Sequence, residues 1–286
     1  MNKFVVAVLC ALWAFTSAAA VPQIQGQGLL WIGDFGRGIY TVDPSSGAAT
    51  KRLDVNVGSS VINDLAFDTR SGLLYGISGG ALFGTPNTLF TIDLKSPSLT
   101  LKLLGTVKPP DASASAIDGL AFVDGALIGV EWNGQANAVF TIDTHTLAVS
   151  NTHYLHSPMN YNINDLASSG SAAAPFGLQG LPVNLFTFAP GSGAVSVIGH
   201  PGTTDFQYGL AYAADRNKFY TAGSDRTVWE IDPVTLATRS IGTPSGSGGI
   251  AGLEYVPITV VPEPATAALL ALGLAGLLGA RLARRD

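Results

Sequence analysis

Residues 89–105, LFTIDLKSPSLTLKLLG, decide the fold, because versions of this stretch occur five times in the chain. Apolar and β-branched residues alternate on both sides of a break rich in Ser and Pro, which predicts a strand, a turn and a second strand. A copy starts every 43 to 50 residues. The other copies are IYTVDPSSGAATKRL (39–53), VFTIDTHTLAVSNTH (139–153), LFTFAPGSGAVSVIG (185–199) and VWEIDPVTLATRSIG (228–242).

A second pair of short predicted strands lies between consecutive copies. Two strands from each motif give four strands per period of about 45 residues, which is typical of one blade of a β-propeller. The examples of this second pair are INDLAFDTRSGLLYGI (62–77), IDGLAFVDGALIGV (117–130), INDLASSGSAAAPFGL (163–178) and QYGLAYAADRNKFYTA (207–222).

The two ends of the repeat region complete one further blade. IAGLEYV (250–256) matches the opening half of the second motif, and GLLWIGD (28–34) matches its closing half. Pairing these ends closes the ring and removes an open sheet edge. We therefore predict an all-β fold, a five-bladed β-propeller over residues 21–257. The irregular stretch at residues 168–182 leaves a count of six blades open.

The first residues predict export. A basic residue, an apolar run and an Ala-x-Ala step at residues 18–20 are typical of a secretory signal peptide, which we place at residues 1–20 with cleavage by signal peptidase after Ala20. The single cysteine, Cys10, lies inside this leader. The mature protein then has no cysteine, which excludes disulfides, zinc-thiolate sites and thiol catalysis.

The charge of the body argues against nucleic acid as a partner. Residues 21–264 contain 11 Lys and Arg against 19 Asp and Glu, a formal charge of −8. Binding to a polyanion requires a basic stripe, whereas the basic residues here are scattered singly.

Four aspartates end equivalent predicted strands but favour a structural role. An Asp that enters a turn accepts a hydrogen bond from the backbone two residues further on, and Pro follows two of the four. We therefore interpret them as turn residues; they are Asp43, Asp93, Asp143 and Asp232.

A second polar column begins the predicted inner strands, which line the channel of a propeller. Carboxylates and amide oxygens that converge there suit a hard cation such as Ca²⁺. The candidate metal ligands are Asp64, Asp118 and Asp165, two of them preceded by Asn63 and Asn164. The alternative is that each side chain caps the backbone of its own or the adjacent blade.

No catalytic constellation is recognised, and the GISGG match at residues 76–80 lacks the helix that a nucleophile elbow requires.

The chain ends VPEPATAALLALGLAGLLGARLARRD (261–286). Sixteen uncharged residues precede a basic end, which predicts a transmembrane helix within residues 265–286 with its arginines in the cytoplasm. A linker and a Pro-Glu-Pro step occupy residues 258–264. The residues that define the motif are Pro262, Glu263, Pro264, Arg281, Arg284 and Arg285.

This arrangement resembles the PEP-CTERM sorting signal of Gram-negative bacteria. The resemblance implies an inner-membrane intermediate, cleavage by an exosortase near Pro-Glu-Pro, and transfer of the body to the cell surface or its release. It also implies a link to exopolysaccharide and biofilm. We therefore expect a non-enzymatic surface or matrix protein that binds extracellular polysaccharide or an envelope protein. The alternative is a secreted metal-dependent propeller enzyme of the lactonase or lyase type.

Overall fold

The computed structural model of the protein describes residues 24–56, 61–80, 85–110, 116–132, 137–155, 163–169, 174–179, 183–203, 207–245 and 249–258. The predicted leader with Ala20, the linker beyond residue 258, the six sorting residues and the predicted membrane helix lie outside these ranges. Within them, no helix is long and apolar enough to cross a membrane.

The described residues form twenty strands and no helix. In chain order the strands are β1 (Leu29–Asp34), β2 (Gly38–Val42), β3 (Ala49–Asp54), β4 (Ile62–Asp68), β5 (Leu73–Gly80), β6 (Thr85–Asp93), β7 (Thr100–Thr106), β8 (Ala116–Val123), β9 (Ala126–Trp132), β10 (Asn137–Ile142), β11 (Val149–Tyr154), β12 (Ile163–Ala167), β13 (Phe176–Gln179), β14 (Asn184–Phe188), β15 (Val195–Gly199), β16 (Gln207–Ala213), β17 (Lys218–Gly223), β18 (Val228–Ile231), β19 (Thr238–Gly242) and β20 (Ile250–Val256).

These strands build five antiparallel sheets of four strands each, and the predicted five-bladed propeller is confirmed. Blade 1 combines β20 with β1, β2 and β3, so the first and last strands of the body pair as predicted. Blades 2 to 5 are β4–β7, β8–β11, β12–β15 and β16–β19. The irregular stretch that left a sixth blade open supplies the short strand β13 of blade 4.

The core lies between the blades. The inner strands β4, β8, β12, β16 and β20 contact one another in that order around the ring. Five clusters of buried apolar side chains fill the five junctions, and each cluster draws on two adjacent blades. Burial at every junction therefore stabilises the ring as a whole.

An aromatic residue recurs at one position of each third strand. In blades 2, 3 and 4 its ring covers a glycine of the second strand: a Cβ on Gly76, Gly129 or Gly177 would lie 2.1 to 2.7 Å from the ring. In blade 5 the glycine is replaced by the buried Thr221, and Trp229 remains half-buried. The five aromatic residues are Tyr40, Phe90, Phe140, Phe186 and Trp229.

The strand-ending aspartates lie in turns, as their sequence pattern predicts. The Oδ1 atom of Asp43 accepts from the Ser45 amide at 2.8 Å, and that of Asp143 accepts from the His145 amide at 2.8 Å. Asp93 and Asp232 make the same contact two residues ahead, at 2.9 and 3.0 Å. Such turns join the third and fourth strands of the blades and keep the chain on the surface.

Candidate functional site

The polar column of the inner strands lies at a β-bulge in every blade. The register between the inner and second strands shifts by one residue at the same place in all five sheets. A bulge leaves one residue unpaired and re-aims the side chains around it. The residues at this shift are Asn63, Asp118, Asn164, Tyr208 and Ala251.

The two asparagines of this column bind the backbone of the next blade. Asn63 Nδ2 donates to the carbonyl of Ile117 in blade 3 at 2.9 Å and to that of Gly79 at 2.7 Å. Asn164 Nδ2 donates to the carbonyl of Gln207 in blade 5 at 2.6 Å. Both asparagines are buried, so these bonds satisfy groups that solvent does not reach.

The aspartate after each asparagine bonds to the same neighbouring blade. Asp64 accepts from its own strand at the Leu65 amide (2.6 Å) and from blade 3 at the Leu120 amide (2.5 Å). Asp165 likewise accepts from the amides of Leu166 and, in blade 5, Leu210. Each Asn-Asp pair thus joins its blade to the next through one donor and one acceptor.

Asp64 and Asp165 also contact each other. Their carboxyl groups are hydrogen-bonded, and both side chains are fully buried. Burial raises the pKa of both groups; the charge of Asp64 raises that of Asp165 further, whereas their backbone hydrogen bonds act in the opposite direction. A buried pair of hydrogen-bonded carboxyl groups is most stable when it retains a proton.

Asp118 does not join this pair. It stands in the bulge column, one position before the column that contains Asp64, and keeps partial contact with solvent. Desolvation, followed by the nearby charges of Glu131 and Asp64, raises the pKa of Asp118 to about 8. The structure therefore brings two of the three predicted ligands into contact and keeps the third apart.

Glu254 on β20 is a buried channel carboxyl that the sequence analysis missed. It accepts from the Phe67 amide of blade 2 at 3.2 Å and from the Tyr255 amide at 2.8 Å. Burial raises the pKa of Glu254 to about 8. A signal for it exists in the repeat alignment, because the other inner strands have alanine there: Ala66, Ala121, Ala167 and Ala211.

Further buried polar residues, on the third strands of blades 2 and 3, accept hydrogen bonds from the inner strand of the following blade. Asn87 and Asn137, both just ahead of the repeated aromatic position, accept from the amides of Ile117 and Ile163 in the following blade, at 3.0 and 3.1 Å. Ser78 of the GISGG match is fully buried within β5. These residues serve the contacts between strands.

The described carboxylates do not assemble a metal site of three ligands. In the part of the chain that the structure describes, no three His, Cys, Asp or Glu side chains lie close enough to hold one ion. The hydrogen bonds instead direct Asp64 and Asp165 to backbone amides.

The C-terminal motif is confirmed by comparison with protein families. Residues 260–285 match the PEP-CTERM protein-sorting motif. The chain therefore combines a five-bladed propeller body with a sorting signal that implies export through a membrane intermediate and processing by an exosortase.

Solved structures show the same kind of fold at low sequence identity. A chain of the nidogen–laminin complex is 12% identical, with a TM-score of 0.52 over 79% of this chain and 97% of that one. A structural genomics protein of unknown function from Bacteroides thetaiotaomicron VPI-5482 is 11% identical, with a TM-score of 0.52 over 80% of this chain. The present chain spans 64% of that second protein.

The search of curated proteins gives no significant match. Because 1132 solved chains match the fold, it defines an architecture rather than an activity.

Proposed function

We propose that the mature protein acts at the cell surface or in the extracellular matrix as a non-enzymatic propeller. In this proposal its body binds extracellular polysaccharide or an envelope protein in a biofilm. The observation that carries the proposal is that the polar side chains of the inner strands bind neighbouring blades and do not form a catalytic group. Asn63, Asp64, Asn164 and Asp165 are all engaged in hydrogen bonds between blades. The sorting motif supports the location.

Processing is tested by the mass of the native protein. Cleavage of the leader and of the sorting signal predicts a mature chain that begins at Val21 and ends close to Pro264. Mass spectrometry of protein from culture medium and from washed cells measures both ends. A chain that still contains residues 265–286 in both fractions contradicts removal of the tail.

Binding is tested with the same mature protein. Co-sedimentation with the producing organism's own polysaccharide and with cells that lack the protein should retain it, whereas a neutral dextran should not. Heat-unfolded protein serves as the control for adhesion through exposed apolar surface. Equal recovery from all supports, or no retention on polysaccharide and cells, contradicts the proposed binding role.

The second candidate, a secreted metal-dependent propeller enzyme of the lactonase or lyase type, would depend on Asp118. Unlike the buried Asp64 and Asp165, it keeps contact with solvent in the channel and lies near Glu131. A rise in melting temperature with millimolar Ca²⁺ that disappears in Asp118→Asn would favour this candidate. Identical melting curves with Ca²⁺ and with a chelator would count against it.

A further inference from the structure

An open groove of about 400 Å³ lies on the face of blade 2 that meets the β10–β11 turn of blade 3. Leu73 and Leu104 supply apolar surface, the mostly buried Tyr75 borders the groove, and Lys102 lies on the outermost strand. Thr144 and His145 contribute the wall from blade 3. A cavity of this size lies within the range of small-ligand sites, about 300–1,000 Å³.

In blade 5 a carboxylate occupies the position that is equivalent to the groove of blade 2. There Glu230 pairs with Tyr220 on one side and Arg239 on the other. Its Oε2 atom accepts from the Tyr220 hydroxyl at 3.3 Å and from Arg239 Nη2 at 3.0 Å. A carboxylate between a tyrosine and a cation thus completes this row of the sheet.

Blade 2 has the same row without the carboxylate. Thr91 pairs with Tyr75 and with Lys102, so a short hydroxyl side chain stands where blade 5 has glutamate. The groove opens at this place. Within the described residues no carboxylate lies within ion-pair distance of Lys102. The tyrosine is held in position, because its hydroxyl bonds to Thr144.

We propose that this groove binds the carboxylate of an acidic sugar, such as a uronic acid unit of a polysaccharide. The sugar carboxylate takes the place that Glu230 has in blade 5 and bonds to Lys102 and Tyr75. Charge-assisted bonds of this type are among the stronger polar contacts. The sugar ring lies on the partly exposed Leu104, and one of its hydroxyls meets Asp93.

The charge of the protein restricts the ligand further. A body with a formal charge of −8 repels a long polyanion, so attraction depends on the local cation in the groove. Asp93 also lies in the groove, where it accepts the turn amide of Lys95 at 2.9 Å and leaves its second oxygen for a sugar hydroxyl. The groove therefore fits one acidic sugar unit at a time, and the other units of an oligomer stay outside it.

The test is calorimetric titration of the mature protein with a trigalacturonate and with its methyl ester. The ester keeps the ring and removes the charge, so it should bind at least tenfold more weakly. Lys102→Gln should lower affinity for the acid by tenfold or more, as expected for loss of a charged hydrogen-bond partner. Thr91→Glu should abolish binding by supplying the carboxylate internally.

Lys51→Gln is the matched control, because Lys51 lies on the outer strand of blade 1 and pairs with Asp54 at 2.7 Å. It should bind as the wild type does. Equal affinity for acid and ester, or wild-type affinity in Lys102→Gln, overturns the proposal. Acetate that competes as strongly as the trisaccharide would overturn the sugar assignment.

This inference rests on the proposed binding role, but different experimental results would contradict the groove and the binding role. If Lys102→Gln adheres to the native polysaccharide and cells as well as the wild type does, the groove is not the site but the binding role stands. If the wild-type protein adheres to neither, the binding role itself fails.

Discussion

At the scale of single residues, the Asn-Asp dipeptide joins inner strands by hydrogen bonds at two of the five junctions between blades. Asn63 donates to a carbonyl of blade 3 and Asp64 accepts from an amide of the same blade. Neighbouring side chains with opposite hydrogen-bonding capacity thus fix both the distance and the register of the next inner strand. Asn164 and Asp165 repeat the arrangement between blades 4 and 5.

We expect Asn63→Ala to lower the free energy of unfolding by about 2–4 kcal/mol, because two buried carbonyls lose their donor. Urea unfolding of the mature protein measures the effect. Ser196→Ala, on the exposed side of β15, is the control and should change stability by less than about 0.5 kcal/mol. Equal midpoints for the two variants would contradict the role of Asn63.

At the scale of strands, the inner strands without an Asn-Asp pair have glycine in the aspartate column. A Cβ on Gly252 would lie 2.6 Å from Asp64 Cα, and one on Gly119 would lie 2.9 Å from the Leu166 amide nitrogen. Neighbouring strands therefore approach too closely for any side chain at these glycines. The inner strands of blades 2 and 4 bind the next inner strand through polar side chains, whereas those of the other blades pack their glycines directly against it.

We expect Gly252→Ala to destabilise the propeller by about 3 kcal/mol, because the methyl group meets backbone that cannot move alone. Gly191→Ala is the matched control, since nothing lies within 4 Å of its Cβ position. Thermal melts of both variants beside the wild type give the comparison. A Gly252→Ala protein as stable as the control would mean that the inner strands separate easily.

The pairing of β20 with β1 predicts a sharp effect of truncation. A chain that ends at residue 258 retains this pairing and should melt cooperatively, whereas one that ends at residue 248 loses β20 and exposes an edge of β1. Size-exclusion chromatography and circular dichroism should show aggregation or loss of structure only in the shorter chain. A monomeric, cooperative shorter chain would contradict closure through β20.

The repeat pattern predicts the strands well, because alternation and turn chemistry are local. It also predicts the pairing of the chain ends, since IAGLEYV and GLLWIGD each complete half of a motif. The alignment of IDGLA with INDLA places Asp118 in the column of Asn63, a signal that the prediction of three shared ligands overlooked. The contact between Asp64 and Asp165 depends on how the blades approach one another and is not visible in the repeat. Glu254 is marked in the repeat alignment as the one carboxyl in a column of alanines, but its contact with Phe67 of another blade is not visible in its own strand.

At the scale of the whole molecule, the inner strands contain several carboxyls whose pKa values are raised. Burial raises the pKa of Asp64, Asp165 and Glu254, and it raises that of the partly exposed Asp118. Solvent screening makes the contribution of Asp118 smaller than that of Glu254. The folded protein thus holds protons that the unfolded chain releases above about pH 4.

We expect the melting temperature to fall as the pH rises from 5 to 9. Stability from these carboxyls is complete below their unfolded pKa values and is lost as the pH passes the folded values of about 8. Scanning calorimetry at fixed scan rate measures the slope. Glu254→Gln should flatten it, and a wild-type melting temperature that is constant or rises over this range would contradict the assignment.

The Asn-Asp pairs lie in alternate blades, 2 and 4, of a ring that has five blades. A ring with an odd number of blades cannot alternate without a fault, so two glycine-type blades, 5 and 1, become neighbours. At that fault Arg226 reaches Asp34 at 3.5 Å, and the Tyr255 hydroxyl donates to Asp215 at 3.0 Å and accepts from Arg216 at 3.3 Å. The junction between blades 5 and 1 is therefore held by charged and hydroxyl side chains, and because Arg226 and Asp34 are buried, dissolved salt screens their ion pair only weakly.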